Sequence, residues 1–159
     1  MSFRNLSLIA AALVVAGAAG TASAATDTKN FQVTMTITGA CDIHTGTATN
    51  VDFGSTAVTG GDKTAIGNLI VNCSNGATYA ITLNNGNNFT TTRRMKAGTS
   101  YVPYGLFSDS GNTTAWTSVS GTGTGLDQNV AVYGKVVGAD YASATPGNYT
   151  DTVTATVTY

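Results

Sequence analysis

The last nine residues, Asp151-Thr-Val-Thr-Ala-Thr-Val-Thr-Tyr159, alternate between threonine and other residues without a break. Successive side chains of a β-strand point to opposite faces, so this period of two predicts a strand with one apolar face. The predicted apolar face carries Val153, Ala155, Val157 and Tyr159, and the four alternating threonines, Thr152 to Thr158, form the other face. A half-buried strand of this kind requires a sheet beside it, so the segment indicates a β fold.

The composition of the whole chain also predicts an all-β fold. The chain has 159 residues, of which 42% are hydrophobic and 9% are charged, and it contains 29 Thr and 19 Gly; all eight acidic residues are Asp. Thr and Val favour strands, Gly and Asn favour turns, and straight-chain helix formers are scarce. These proportions exclude a helical bundle, a coiled coil and a nucleotide-binding α/β fold. The net charge of −1 argues against a nucleic-acid-binding protein.

Strand and turn signals follow one another along the rest of the chain. Seven or eight strands at this spacing predict a single antiparallel β-sandwich domain. Gly121-Thr-Gly-Thr-Gly125 is predicted to be a flexible loop, because a dinucleotide-binding loop would open a helix and no helical pattern follows it. The predicted strands are residues 31–37, 65–73, 78–83, 89–95, 101–108, 128–137 and 149–159.

The first 24 residues are typical of a secretory signal peptide. Arg4 supplies the positive charge, residues 8–19 form an apolar stretch of about a dozen residues, and Ala22-Ser23-Ala24 matches a cleavage site. The apolar stretch is shorter than the ~20 residues that a membrane-spanning helix needs. The sequence therefore predicts an exported protein whose mature chain begins after Ala24.

The chain has two cysteines, Cys41 and Cys73. Export to an oxidising compartment favours a structural disulfide between them, and closing a loop of about 30 residues contributes about 3.5–4 kcal/mol on the chain-entropy model. The alternative is a nucleophilic cysteine with His44 as its base. A metal site is not expected, because two cysteines and one histidine are too few ligands for structural zinc.

Catalytic motifs are not found. His44 lies near Asp42, but the nucleophile motif of a serine hydrolase is missing, and a lone histidine is expected on a solvated loop. The aspartates lack the spacing of a calcium-binding loop. Arg93, Arg94 and Lys96 form a basic cluster, for which a solvated strand end is favoured over a site for a sulfated or acidic sugar. We therefore expect a protein that is not an enzyme and has no cofactor.

Several short motifs follow one another along the mature chain and together cover essentially all of it. In chain order they are the alternating strand before Cys41, Val51-Asp-Phe53-Gly54, Val71-Asn-Cys73, Tyr101-Val-Pro-Tyr104-Gly-Leu-Phe107-Ser-Asp109, Trp116, residues 121–125, Val132-Tyr-Gly-Lys-Val136 and residues 146–159. In this order they resemble the spore coat protein U domain family, which includes the subunits of archaic chaperone–usher pili. One departure is Phe107-Ser108, where members often carry Tyr and Thr.

The resemblance implies an immunoglobulin-like antiparallel β-sandwich that lacks its final strand. In the family, a periplasmic chaperone first fills the resulting groove, and the N-terminal segment of a neighbouring subunit then replaces it. Residues 1–24 would be the signal peptide, residues 25–38 the donor-strand segment and residues 39–159 the pilin domain. The donor residues would be Phe31, Val33, Met35 and Ile37, and the acceptor-edge strand would present Val153, Ala155, Val157 and Tyr159.

The resemblance also implies a function and its partners. The expected protein is a secreted structural subunit that passes through the periplasm and forms a surface pilus supporting adhesion and biofilm formation. Its partners would be the chaperone, an outer-membrane usher and identical or related pilin subunits. Alternatives are a spore- or cell-coat protein exported by the same route and a carbohydrate-binding adhesin. Taken without the resemblance, the alternation favours residues 31–37 as the first strand of this chain's own complete sandwich.

Overall fold

The computed structural model describes residues 24–159, except for the side chains of residues 45–49. The predicted signal peptide lies outside the described residues apart from Ala24. The chain divides into two units, which are considered separately: one extends to Thr36 and the other is Ile37–Tyr159. In the described part, no helix is long and apolar enough to cross a membrane.

The described residues contain nine strands and one short helix, and all pairings between strands are antiparallel. The all-β fold class expected from the sequence is confirmed. In chain order the elements are β1 (Cys41–Thr49), β2 (Lys63–Cys73), β3 (Thr78–Leu83), β4 (Arg94–Ala97), β5 (Ser100–Pro103), β6 (Gly105–Phe107), β7 (Val119–Thr122), β8 (Asp127–Val136), α1 (Gly138–Tyr141) and β9 (Ala155–Thr158).

The strands form two sheets that pack face to face, together with one hairpin. The first sheet has the order β1-β2-β8-β6, the second has the order β7-β3-β9, and β4 pairs with β5 in the hairpin. Val71, Val132 and Leu106 from the first sheet share one buried core with Tyr79 and Ile81 from the second. A core between two sheets defines a β-sandwich, as the sequence predicts.

Trp116 connects the two sheets across this core. Its backbone N–H donates a hydrogen bond to the carbonyl oxygen of Leu106 in β6 (2.9 Å), and its indole Nε1–H donates to the carbonyl oxygen of Ile81 in β3 (3.3 Å). The ring itself is buried. Because the indole nitrogen has a partner, the large ring can be buried without an unsatisfied polar group.

Cys41 and Cys73 form the predicted disulfide. They lie directly opposite each other in β1 and β2, which makes the bond a covalent link between neighbouring strands. The backbone continues this pairing past the bond, because the N–H of Ser74 donates to the carbonyl oxygen of Ala40 (2.9 Å). The disulfide therefore fixes the register of the edge strand β1.

The predicted strand at residues 31–37 forms no ladder in this structure. Residues 24–40 lie in no helix or strand, and the side chains of Phe31, Val33, Met35 and Ile37 are 81–87% exposed. The expectation of a half-buried strand is therefore wrong for the chain by itself, because an extended segment becomes a strand only when another backbone pairs with it. Four large apolar side chains are left in contact with solvent.

Gly121 and Thr122 belong to β7 rather than to a flexible loop. Gly121 lies opposite Tyr79 in the ladder between β7 and β3, and a Cβ atom on Gly121 would collide with the Tyr79 ring. Glycine is needed here for close packing rather than for flexibility. The predicted strand at residues 89–95 is likewise shorter than expected, because β4 begins only at Arg94. The elements β1, β7 and α1 have no counterpart among the predictions.

Gly134 in β8 makes room for the segment that follows β1. A Cβ atom on Gly134 would collide with the side chains of Val51 and Phe53. The segment turns at Gly54, which has a φ of 64° and donates its N–H to the Asp52 carboxylate (2.8 Å). Two motifs that are far apart in the sequence therefore pack directly against each other.

We expect Gly134→Ala to destabilise the fold by about 1–3 kcal/mol, the usual range for overpacking. The added methyl group would force Val51 and Phe53 out of their positions above β8. Urea unfolding followed by tryptophan fluorescence measures the change. Gly61→Ala is the matched control, since Gly61 is exposed and no atom lies within 4 Å of the point where an added Cβ would stand. Equal unfolding midpoints for the two variants would contradict this account of Gly134.

Candidate functional site: an open groove between the sheets

The sandwich is open along one side. β9 pairs with β3 on one side, and among the described residues no strand pairs with its other side. β1 is the corresponding edge of the first sheet, and β1 and β9 approach each other within 8 Å between Cα atoms. An unpaired strand edge presents backbone N–H and C=O groups that a further strand can bind. The open side is therefore a candidate binding site for an extended segment.

A groove of about 590 Å³ lies between the two sheets. The groove is lined by residues 50–53 and 149–153, by Met95 and Tyr104, and by residues of β2, β3, β6, β8 and β9. Eleven of the eighteen lining residues have apolar or aromatic side chains, while polar groups contribute nearly half of the exposed surface. The groove therefore suits an extended segment that offers both apolar side chains and backbone hydrogen-bonding groups. The apolar and aromatic side chains are those of Val51, Phe53, Leu69, Leu83, Met95, Tyr104, Leu106, Val132, Tyr149, Val153 and Ala155.

Two of the four residues assigned to the acceptor edge line this groove, namely Val153 and Ala155. Val157 is half-buried and packs against the main core. Tyr159 lies beyond the end of β9 and is 64% exposed. The structure therefore departs from the predicted apolar face at Tyr159, because the second sheet ends one residue earlier. The acceptor role of the strand stays a prediction.

Asp151 is a half-buried acid four residues before β9. It has the same parity as Val153 and Ala155 and also lines the groove. Its Oδ2 accepts a hydrogen bond from the Tyr104 hydroxyl (2.7 Å), and its Oδ1 accepts from the backbone N–H groups of Asn87 (3.0 Å) and Asn88 (3.2 Å). The Asn88 side-chain amide donates a further bond to Oδ1 (2.9 Å). The carboxylate therefore ties the strand to residues 87–88.

Asn84 holds the next part of the same strand. Its Oδ1 accepts the N–H of Thr154 (2.9 Å), and its own backbone N–H donates to the Thr154 carbonyl oxygen (2.9 Å). The Arg93 guanidinium donates in turn to the carbonyl oxygen of Asn84 (2.8 Å). Before Ala155, isolated backbone hydrogen bonds and the side chains of Asn84 and Asp151 thus stand in place of a regular ladder. This replacement explains why the predicted strand at residues 149–159 is reduced to β9.

Burial, followed by the hydrogen bond to the Asp151 carboxylate, raises the pKa of the Tyr104 hydroxyl well above its usual range. The phenol therefore remains a hydrogen-bond donor over the physiological pH range. The contact between Tyr104 and Asp151 could have been suspected from the sequence, because Asp151 is an acid in line with the apolar residues Val153 and Ala155. An acid at an inward-facing position of an alternating strand has to find buried partners, because an unpaired carboxylate is costly inside a protein.

We expect Asp151→Ala to destabilise the fold by about 2–3 kcal/mol, because Tyr104 and the loop N–H groups lose a charged acceptor. Asp151→Asn, which keeps one acceptor oxygen, should recover part of this loss. Chemical denaturation of the full chain measures both variants. The matched control is Asp140→Ala, an exposed position at the start of α1. A midpoint for Asp151→Ala equal to that of the control would contradict the role assigned to Asp151.

His44 lies in β1 rather than on a solvated loop, so that expectation is wrong. Its Nδ1 is 3.1 Å from Oδ2 of Asp42, and its Nε2 is 3.5 Å from Oδ2 of Asp127. Asp127 lies in β8, which is separated from β1 by β2 in the first sheet. Among the described residues, no group of three potential metal ligands is found.

Comparisons with known proteins identify a family and a solved structure with the same fold. Residues 27–156 match the family described as Spore Coat Protein U domain. Protein U of Myxococcus xanthus is 35% identical over 159 residues, covering 87% of this chain and 88% of that protein.

A solved structure shares the fold. It is the CsuC-CsuE chaperone-tip adhesion subunit pre-assembly complex from the archaic chaperone-usher Csu pili of Acinetobacter baumannii, with a TM-score of 0.60 and 26% identity over 78% of this chain. The match spans 40% of that solved chain. The match to the family extends over most of the sequence, including all nine strands except the end of β9. The chain therefore belongs to the spore coat protein U domain family.

Proposed function

We propose that this chain is a structural subunit of a secreted surface fibre, in which each copy is completed by a strand from its neighbour. The observation that carries the proposal is the apolar groove beside the unpaired edge of β9. An open groove of this kind exposes apolar surface and unpaired backbone groups at the same place, and one added strand can satisfy both. The proposed acceptor edge includes Val153 and Ala155.

The proposed occupant is residues 31–37 of a second copy of the chain. Phe31, Val33, Met35 and Ile37 alternate with Gln and Thr, so a strand formed from this segment would have one apolar face. All four side chains are at least 81% exposed. Burying them at ~1.5–3 kcal/mol each would contribute about 6–12 kcal/mol, before ordering costs and backbone hydrogen bonds are counted.

The proposed fibre also implies helpers during export. Before assembly, the groove would be occupied by a strand of a periplasmic chaperone, and an outer-membrane usher would then exchange it for the donor strand of the next subunit. The fold shared with a chaperone-tip adhesion subunit complex supports a chaperone partner. The fibre would serve in adhesion and biofilm formation. On this proposal, residues 1–24 direct export, residues 25–38 donate the strand and residues 39–159 form the acceptor domain.

A coat protein is the second candidate function. The 35% identity to Protein U of Myxococcus xanthus and the family description favour it. In a coat, the same domain would be linked by the same strand exchange, but no extended pilus would form. Electron microscopy of expressing cells distinguishes the two, since thin filaments support the pilus and a continuous surface layer supports the coat.

Val33→Asp and Met35→Asp test the donor segment. We expect both variants to be exported, yet to lose the ladder of multimers that resists sodium dodecyl sulfate without boiling, because a charge would enter the apolar groove. Thr34→Asp is the matched control, since it places the same charge on the opposite face and should preserve the ladder. Normal multimers from both Val33→Asp and Met35→Asp would refute the donor role.

A mixing experiment separates exchange between copies from completion within one chain. A Met35→Asp copy lacks a working donor strand but keeps an intact groove, so we expect it to terminate chains when it is co-expressed with the unmodified protein. The multimer ladder should become shorter as the proportion of the variant rises. Completion of each sandwich by its own residues 31–37 would instead leave no multimers to shorten.

A further inference from the structure

The β4–β5 hairpin has two chemically different faces. In this two-stranded ladder Met95 lies opposite Val102, and both pack inward against the core that includes Val136 and Tyr141. The alternate residues Arg94, Lys96 and Tyr101 therefore lie on the outer face. Lys96 and Tyr101 are directly opposite each other, and both are exposed. The pairing of β4 with β5 thus gathers two cations around one aromatic ring.

The guanidinium of Arg94 lies 4.2 Å from the centroid of the Tyr101 ring, and the Lys96 Nζ lies 5.6 Å from it. Arg94 also donates its Nε–H to the carbonyl oxygen of Asn88 (3.1 Å). These contacts orient the guanidinium and leave its terminal nitrogens without a hydrogen-bond partner among the described residues. A guanidinium held in one orientation loses less entropy when it binds a carboxylate or sulfate group.

These two positive charges have no acidic partner within residues 24–159. The other basic groups of the sandwich include Lys135, which pairs with Asp62 (2.9 Å), and Arg93, whose guanidinium is committed to the carbonyl oxygens of Leu83 and Asn84. The chain as a whole has one more acidic than basic residue. An unneutralised positive patch on a slightly acidic protein favours a negatively charged partner.

We infer that the outer face of the β4–β5 hairpin binds an anionic polysaccharide, with Arg94 and Lys96 contacting its carboxylate or sulfate groups beside the Tyr101 ring. The exposed hydroxyls of Thr90, Thr91 and Thr92 lie in the adjoining segment and can bind sugar hydroxyls. From the sequence, the basic cluster of Arg93, Arg94 and Lys96 is expected to be a solvated strand end. In the structure the three residues differ, because Arg93 binds the carbonyl oxygens of Leu83 and Asn84, whereas Arg94 and Lys96 lie together on the outer face of the hairpin.

The size of the patch favours a polysaccharide over two other polyanions. Anionic membranes are recognised by clusters of about 4–8 basic residues, and this hairpin offers two. Nucleic-acid-binding domains are strongly basic, typically with a pI above about 9, whereas this chain has a pI near 5.5. Two cations give weak binding from one copy, and the repetition of copies in the proposed fibre would strengthen it by avidity.

Binding of the full chain to immobilised polygalacturonate and dextran sulfate tests this inference, with neutral dextran as the reference. We expect retention on one or both anionic polymers, weakening with added salt, and no retention on neutral dextran. The two anionic polymers distinguish carboxylate from sulfate as the recognised group. Arg94→Gln combined with Lys96→Gln should weaken binding by about tenfold or more, since two charged contacts are removed.

Lys63→Gln is the matched control, because it removes a positive charge from β2. Tyr101→Phe should retain binding and Tyr101→Ala should weaken it, because the ring positions both cations. The inference is overturned if the Arg94 and Lys96 double variant binds like the unmodified chain, if Lys63→Gln weakens binding equally, or if duplex DNA or phosphatidylserine vesicles bind more tightly. The double variant should still form the normal ladder of multimers that resist sodium dodecyl sulfate. A loss of polysaccharide binding would then be distinguished from a loss of fibre assembly.

Discussion

Among the described residues, β9 pairs with a strand on one side only, and the groove beside it follows from that pairing. A strand with one partner leaves half of its backbone groups and part of its apolar face without protein contacts. Here the uncovered face is the groove lined by Val153 and Ala155. Trp116 binds the backbone of both sheets, donating hydrogen bonds to the carbonyl oxygens of Leu106 and Ile81, and so links the sheets through the core.

The same constraint explains why a polar cluster stands at one end of an apolar groove. Residues 151–154 need hydrogen-bond partners, yet a regular ladder is absent before Ala155. Asn84 binds both backbone groups of Thr154, the Asn87 N–H donates to the Thr152 carbonyl oxygen, and the Asp151 carboxylate anchors the segment to residues 87–88. The charge-poor composition fits this arrangement, since threonine on the exposed face of β9 is compatible with a strand and adds no charge to it.

Sequence reasoning succeeded where the pattern is local. The strand at residues 78–83, the disulfide and the inward position of Val153, Ala155 and Val157 all depend on alternation or on cysteine count, and the structure has them. It failed where a distant partner decides the outcome. The sequence predicts Gly121 in a loop, because the contact with the Tyr79 ring that requires a glycine there is not visible in the sequence. The strand β9 is shorter than predicted, because the residues before it bind Asn84 and Asn87, which are far away in the sequence.

The β class, the order of the motifs and the resemblance to the family can all be predicted from the sequence, because side-chain period, turn residues and motif order are local properties of the chain. The open side of the sandwich beside β9 and the bond between Asp151 and Tyr104 become visible only in the folded chain. The same holds for the placement of Arg94 and Lys96 around Tyr101, while Arg93 binds the carbonyl oxygens of Leu83 and Asn84. These features are contacts between separate segments of the chain. Strand pairing and sheet packing select them, and neither can be read from local periodicity.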